Sequence, residues 1–130
     1  MYSAITWQHA RQPKNRGSCE GAQATGKAHF RKCGDDFRLA LWVEGEVIVQ
    51  ARFEARACAP VVAMGSVGTE LLRGLTLEQA RQLLPTRLDQ ELGGLPLPKR
   101  HAILLFLEAL HQAIETCSKN PKTLKRGKKS

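Results

Sequence analysis

The pattern of hydrophobic and polar positions changes near the middle of the chain, from the period of a strand to the period of a helix. Apolar residues alternate with other residues over positions 37–43 and again over positions 47–55, which is typical of strands with one buried face. Glu44 and Gly45 fit a two-residue turn between these segments, so we predict an antiparallel hairpin. The residues predicted to face the core from the second strand are Val47, Val49, Ala51, Phe53 and Ala55.

Helical patterns follow this hairpin. Pro60 fits the first turn of an apolar helix that ends at Gly74 and is apolar or small over most of its circumference. Thr76 with Gln79 three residues later is a capping-box pattern, which predicts a second helix that Pro85 stops. The first of these helices is therefore expected to be buried at the centre of the fold.

A loop and a long helix are predicted for the last part of the domain. Residues 91–98 contain two glycines and two prolines, which favour a shaped loop over a helix or a strand. Residues 99–117 have helical periodicity. The core face of this last helix is predicted to contain Ile103, Phe106, Leu107, Leu110, Ile114 and Cys117. Because the hairpin precedes the helices, the fold class is α+β.

The two ends of the chain differ in composition from its middle. Residues 1–32 show no sustained period, so we expect an irregular N-terminal arm with room for one short helix. Residues 33–117 are the predicted single domain, which the arm joins from about residue 13. Removing the six cations of the last twelve residues lowers the net charge from +8 to +2. We predict a basic, disordered tail at residues 118–130, which could also dock on an acidic partner.

The sequence contains no targeting or catalytic signature. The first twelve residues lack an apolar segment and no run of about 18 apolar residues occurs, so neither a secretory signal nor a transmembrane helix is predicted. We expect a cytoplasmic protein whose four cysteines are free thiols or ligands rather than disulfides. Because no CxxC pair, phosphate-binding loop or nucleophile–base motif is present, we do not predict an enzyme.

Four residues with metal-binding side chains lie at predicted element boundaries. Cys33 and Asp35 flank Gly34 just before the first strand, where a tight turn lets both side chains point at one centre. Cys58 precedes the apolar helix, whose N-terminus is expected to favour the thiolate. His101 lies in the first turn of the final helix. Two thiolates, an imidazole and a carboxylate suit zinc or an iron–sulfur centre, so these four residues are the candidate ligands.

Each candidate also has an ordinary structural explanation. A single cysteine before a helix is often a small core residue, and a histidine at a helix start is often a surface residue or a cap. Asp35 beside Asp36 fits turn chemistry. The spacing of the four residues does not by itself show that they meet.

An ordered series of short motifs is similar to one known family. The motifs are Asn15-Arg16-Gly17-Ser18, Cys33-Gly34-Asp35, Ala51-Arg52-Phe53-Glu54 before Cys58, Thr69-Glu70-Leu71-Leu72-Arg73-Gly74, Leu77-Glu78-Gln79-Ala80, and Glu91-Leu92-Gly93-Gly94-Leu95-Pro96 before Lys99 and His101. They span residues 13–116 in order and without large gaps. The chain resembles the U-type iron–sulfur cluster assembly scaffolds, namely IscU and the N-terminal domain of NifU.

This resemblance implies a fold and a role. The family fold is a small antiparallel three-stranded sheet packed against several helices, which agrees with the order of the predicted elements. The family role implies that the chain binds iron or a 2Fe-2S cluster, with zinc as the isolated form. Sulfur would come from a cysteine desulfurase as persulfide, and apo-proteins would accept the cluster. The ligands would be Cys33, Asp35, Cys58 and His101, with Asp35 tuning cluster lability and Lys99 assisting charge balance.

The chain departs from the family pattern at its third cysteine. Ala102 stands where the family has the cysteine of a His-Cys pair. Cys117, fifteen residues further along the predicted helix, lies about 22 Å away and cannot replace it. Cys19 in the arm could reach the site only through loop motion.

Two further departures concern partners. The family's chaperone-docking stretch Leu-Pro-Pro-Val-Lys reads Leu95-Pro96-Leu97-Pro98-Lys99 here, and Ala59-Pro60-Val61-Val62 replaces a run of small residues. These changes weaken the expectation of chaperone docking and of ordinary persulfide uptake.

Two alternatives to a cluster scaffold stay open. One is a zinc-bound sulfur acceptor for a cysteine desulfurase, similar to SufU relatives, in which Cys58 or Cys33 carries the sulfur. The other is a metal-free interaction protein that docks through its basic tail on an acidic partner or a nucleic acid. We expect no membrane partner, do not favour nucleic acid, and leave open a dimer that supplies a missing ligand.

Overall fold

The computed structural model describes residues 2–119, which form a three-stranded antiparallel sheet packed against helices. Its elements are α1 (Ala4–Arg11), β1 (Ala24–Phe30), β2 (Asp35–Glu44), β3 (Val47–Arg56), α2 (Ala59–Leu72), α3 (Leu77–Arg81), α4 (Pro85–Glu91), a 3-10 turn (Leu97–Lys99) and α5 (His101–Lys119). The strands lie in the order β1–β2–β3. This architecture confirms the α+β class and the three-stranded sheet. Among the described residues, no helix combines the length and the apolar character that a membrane crossing needs.

The predicted hairpin is formed by β2 and β3, with its turn at residues 45–46, one position later than predicted. The set of residues predicted to face the core is correct in the second half of β3 and wrong in the first half. Val47 and Val49 are 38% and 41% exposed, whereas Ile48 is fully buried. A register shift opposite the end of β2 leaves one extra residue in β3. Such a bulge moves the following side chains to the other face of the sheet, which reverses the predicted phase.

The N-terminal arm contains the one short helix that the sequence analysis allowed for it, α1, but the expectation that the arm is otherwise irregular is wrong for β1. Ala24, Gly26 and Ala28 of β1 alternate with outward-facing residues, but such small residues give little hydrophobic signal. Their size is required by packing, because a Cβ atom on Gly26 would lie 1.9 Å from the carbonyl oxygen of Ala109 in α5. The strand is therefore specified by the close approach of α5 and not by the hydrophobicity of its own sequence.

The helices follow the sequence analysis with three corrections. The α2 helix and the capping box of Thr76 and Gln79 are confirmed. However, α3 ends early, and Pro85 is the first residue of another helix, α4, where its missing N–H has no cost. The predicted loop over residues 91–98 is shorter than expected, because Glu91 still belongs to α4 and a 3-10 turn begins at Leu97.

The last helix, α5, begins at His101 and continues through Lys119, two residues into the predicted tail. Residues 120–130, which contain the rest of that tail, lie outside the described residues. The predicted core face of α5 is confirmed, since all six of its predicted residues are buried. One of them, Phe106, meets Phe37 edge-on at 5.8 Å, and Phe37 in turn stacks on Phe53 at 5.7 Å. The core thus lies between one face of the sheet and helices α2 and α5.

Both edges of the sheet have partners outside the strands. On the β3 side, the N–H of Gly17 donates to the carbonyl of Phe53, and the N–H of Phe53 donates to the carbonyl of Asn15, both at 3.0 Å. Further along the same edge, the N–H of Ile48 donates to the carbonyl of Leu75 at 2.8 Å. On the β1 side, the N–H of Lys27 donates to the side chain of Gln112 in α5 at 2.7 Å.

The first helix, α1, is held on α2 by a buried hydroxyl. The Oγ atom of Ser66 is fully buried and lies 2.7 Å from Nδ1 of His9. The same oxygen accepts a hydrogen bond from the backbone N–H of Lys14 at 2.8 Å. With its proton on Nε2, the imidazole of His9 accepts the hydroxyl hydrogen of Ser66, and all of these groups are satisfied. Protonation of His9 would remove that acceptor.

Acidification is expected to destabilise the fold through His9. Burial lowers the pKa of His9 below its ordinary value of about 6.5, with Lys14 acting in the same direction and Glu70 opposing it. Because the folded-state pKa is depressed, this stabilisation is present above about pH 6.5 and is lost as the pH falls through the folded-state pKa. In urea titrations at pH 7 and pH 5, the free energy of unfolding should fall more for the wild type than for His9→Gln. Equal falls in the two proteins would contradict this assignment.

Candidate metal and cluster site

The four candidate ligands meet at one end of the sheet, where three elements begin. Asp35 is the first residue of β2, Cys58 is the N-cap residue of α2, and His101 is the first residue of α5. Cys33 lies in the short loop between β1 and β2. Gly34 in this loop has a φ of 66°, a left-handed conformation that glycine adopts without strain, so the chain turns tightly between Cys33 and Asp35.

The carboxylate of Asp35 is the centre of the site. It is only 2% exposed, and its Oδ1 atom accepts the backbone N–H of Cys58 at 3.0 Å. Its Oδ2 atom lies 3.0 Å from Nε2 of His101 and 3.5 Å from Sγ of Cys58. A buried carboxylate needs such partners because its desolvation is costly. The structure thus joins residues from β2, α2 and α5 through one side chain.

Cys33 completes the group from the solvent side. Its side chain is exposed, and its sulfur lies with one donor atom each of Asp35 and His101 in a set whose members are all within 4.8 Å of one another. Cys58 adjoins this set through its contact with Asp35. Cys33, Asp35 and His101 are therefore close enough to act on one centre, and Cys58 adjoins them through Asp35. Cys33 is exposed, Asp35 is buried, and Cys58 and His101 are partly buried.

The protonation of Cys58 differs from the sequence-based expectation. Burial raises the pKa of the Cys58 thiol, and the adjacent carboxylate of Asp35 raises it further. The N–H of Val61 at the start of α2 and the charge of Lys99 act in the opposite direction and do not prevail. The expectation that the helix N-terminus favours the thiolate is therefore wrong for the metal-free protein. A bound cation would reverse this balance, because a coordinating thiol loses its proton.

The imidazole of His101 fits a site that accepts a cation. Its side chain is 9% exposed, and its Nδ1 atom is buried with no hydrogen-bond partner among the described residues. An Nε2–H that donates to Asp35 leaves Nδ1 as the acceptor of the ring. The ring also stacks on Phe30, with centroids 4.3 Å apart and planes 17° apart. Sequence reasoning did not find Phe30, because it lies in the strand that small residues conceal.

The other two cysteines do not join this group. Cys19 is 4% exposed, and its N–H donates to Oε1 of Glu54 at 2.8 Å. Burial and the contact with Glu54 raise the pKa of the Cys19 thiol to about 11. Cys117 is fully buried near the other end of α5, about 24 Å from His101 along the helix. Ala102, at the position of the family's third cysteine, is fully buried.

This chain is thus a small α+β protein that brings cysteine, aspartate and histidine side chains together at one end of a three-stranded sheet. The chain belongs to the NifU-like N terminal domain family, whose model matches residues 1–123. The iron-sulfur cluster assembly scaffold protein IscU 1 of Archaeoglobus fulgidus is 33% identical over 114 residues, which cover 88% of this chain and 74% of that protein. The nitrogen fixation protein NifU of Azotobacter chroococcum is 36% identical over 115 residues. These residues cover 87% of this chain and 37% of that protein.

Solved structures show the same fold. A scaffold protein of the SUF system from Fervidobacterium islandicum superposes with a TM-score of 0.74 over 87% of this chain and 96% of that one, at 22% identity. The family and the fold expected from the resemblance are thus confirmed. The names of the relatives support a role in iron–sulfur cluster assembly.

Proposed function

We propose that the protein is a non-enzymatic scaffold that carries iron or a 2Fe-2S cluster and releases this cargo to apo-proteins. The observation that supports the proposal best is the buried carboxylate of Asp35, which contacts two other candidate ligands and lies close to the third. A 2Fe-2S cluster has four terminal ligand positions, which this donor set can supply without a third cysteine. The proposed ligands are Cys33, Asp35, Cys58 and His101.

The metal-free hydrogen bonds favour a carrier over a permanent metal site. When cargo leaves, the carboxylate of Asp35 and Nε2 of His101 can pair with each other, so that neither of these two groups is left without a partner. The N–H of Cys58 holds the carboxylate in place in the same state. These bonds lower the free energy of the empty protein and therefore assist release.

Cations around the site support delivery of sulfur by a cysteine desulfurase in the reducing cytoplasm. Arg31 and Lys32 adjoin Cys33, Arg56 lies two residues before Cys58, and Lys99 is close enough to act on the Cys58 thiol. Within residues 2–119, none of these four cations forms an ion pair. A persulfide is an anion at neutral pH, so this basic rim would attract it towards the exposed sulfur of Cys33.

The exposure of Cys33 also supports the second candidate function, a zinc-bound sulfur acceptor. Cys33 is exposed whereas Asp35, Cys58 and His101 are largely covered. Three covered donors could retain zinc while the exposed thiol exchanges with an incoming persulfide. The two functions differ in their product, which is a cluster in the first case and a protein persulfide in the second.

Anaerobic reconstitution tests the proposed function. The full chain is incubated with ferrous iron, cysteine, a cysteine desulfurase and an excess of a thiol reductant, which reduces the persulfide sulfur to sulfide. The protein is then desalted and analysed for visible absorption, iron and sulfide. We expect a chromophore with equal amounts of iron and sulfide, because the four donors match the terminal positions of the cluster. Mixing with an apo-ferredoxin should then transfer the chromophore.

Three other outcomes would contradict the scaffold proposal. A colourless protein that contains zinc and accelerates the desulfurase would identify the sulfur acceptor instead. If only Ala102→Cys gains a chromophore, the third cysteine is required and the native chain does not carry a cluster. Wild-type protein with neither metal nor effect on the desulfurase would contradict both functions.

A further inference from the structure

The aromatic ring of Phe30 lies against the site without offering a ligand. Phe30 is the last residue of β1 and is paired across the sheet with Asp35, the first residue of β2. Directly paired residues on adjacent antiparallel strands point to the same face of the sheet. The imidazole of His101 covers both, because it stacks on Phe30 at 4.3 Å and bonds to Asp35 at 3.0 Å.

These two contacts constrain different motions of the imidazole. The hydrogen bond to Asp35 fixes the direction of Nε2 but allows the ring to tilt about the bond axis. The stacking contact, with planes 17° apart, fixes the tilt and covers one face of the ring. Together they leave the imidazole with one orientation, in which its buried Nδ1 has no protein partner among the described residues.

We propose that Phe30 is a positioning residue that holds His101 in its metal-binding orientation. The inference rests on the proposed function and deepens it, since it assigns a role at the site to a residue that is not a donor. Phe30 also directly precedes the loop that holds Cys33. Its contact with His101 therefore fixes the start of this loop relative to α5, so that two donors from distant parts of the chain keep their separation.

Three substitutions separate ring stacking from simple filling of space. Phe30→Tyr keeps the aromatic plane, Phe30→Leu keeps most of the apolar volume without a plane, and Phe30→Ala removes both. The matched control is Trp42→Leu, which removes an aromatic side chain that stacks with Arg52 at 5.5 Å. Trp42 lies seven residues along β2 from Asp35, about 23 Å from the site.

The measurement is zinc affinity by competition with a chromophoric chelator, together with the visible spectrum of the cobalt-loaded full chain. We expect Phe30→Leu to lower the zinc affinity about tenfold and to change the cobalt bands, as for loss of other groups that orient metal-binding histidines. Phe30→Tyr and Trp42→Leu should match the wild type in both readouts. In the metal-free proteins, the ring protons of His101 should lose their upfield NMR shift in Phe30→Leu alone among these three variants.

The outcomes separate this inference from the proposed function. Zinc binding that is lost in Cys33→Ala but unchanged in Phe30→Leu would overturn the positioning role and leave the site intact. An equal loss of zinc affinity in Phe30→Leu and Phe30→Tyr would also overturn the positioning role, because Phe30→Tyr keeps the aromatic ring that is proposed to hold His101. Absence of zinc binding by the wild type would overturn the proposed site and the role of Phe30 with it. Phe30→Leu tests the positioning role of Phe30 even if Phe30→Ala does not fold.

Discussion

Replacing Cys33 by Ala is expected to abolish retention of iron and sulfide in the reconstitution experiment. Cys33 is the donor that the loop between β1 and β2 contributes, and its removal leaves three donors for four terminal positions of a 2Fe-2S cluster. Cluster content after desalting should fall more than about tenfold, since the loss of a ligand should cost at least as much as the loss of a residue that orients one. Because the Cys33 side chain is exposed, the fold itself should be unaffected.

The chain contains a matched control for this experiment. Cys117 is fully buried and lies about 24 Å from His101 along the same helix, so Cys117→Ala should keep the cluster content of the wild type. Iron, sulfide and visible absorption are measured for all three proteins, and far-ultraviolet circular dichroism confirms that each is folded. Wild-type cluster content in Cys33→Ala would remove Cys33 from the site and contradict the proposed ligand set.

Replacing Gly26 by Ala is expected to destabilise the whole fold. The added Cβ atom would lie 1.9 Å from the carbonyl oxygen of Ala109 and 2.7 Å from the backbone nitrogen of Ala113. Both are backbone atoms of α5, so no rotation of a side chain can relieve the overlap, and the helix must move away from β1. We expect the free energy of unfolding to fall by about 3 kcal/mol, at the upper end of the usual cost of overpacking.

Gly17→Ala is the control for the glycine substitution. A Cβ atom on Gly17 would meet nothing within 4 Å, so its effect should stay within about 0.5 kcal/mol. Urea denaturation followed by circular dichroism measures both variants beside the wild type. A Gly26→Ala protein as stable as Gly17→Ala would show that α5 does not pack on β1 at backbone distance. Because His101 begins α5, the same variant should also weaken zinc binding.

Elements specified by local patterns could be predicted from the sequence. The strands β2 and β3, the apolar helix α2, the capping box at Thr76 and the core face of α5 follow from hydrophobic period and capping chemistry. Features that depend on distant contacts could not. The small residues of β1 are explained only by α5, and the exposure of Val49 is explained only by the register shift opposite β2.

The candidate site shows the same division. Its residues could be named in advance, because they lie at element ends and match motifs of a known family. The contact between Asp35 and His101 joins positions 66 residues apart, and no sequence spacing predicts it. The stacking of Phe30 and the raised pKa of Cys58 likewise depend on burial, which only the folded chain creates.

The covering of both sheet edges restricts how other proteins can recognise this one. The segment around Asn15 and Gly17 occupies part of the edge of β3, and the side chain of Gln112 reaches the edge of β1. A partner would have to displace these contacts before it could extend the sheet by adding a strand of its own, which is a common route both to peptide recognition and to aggregation. Recognition through side chains at the end of the sheet would leave these edge contacts intact. Single substitutions at the end of the sheet should consequently change the binding of a protein partner, whereas substitutions along the strand edges should change it little.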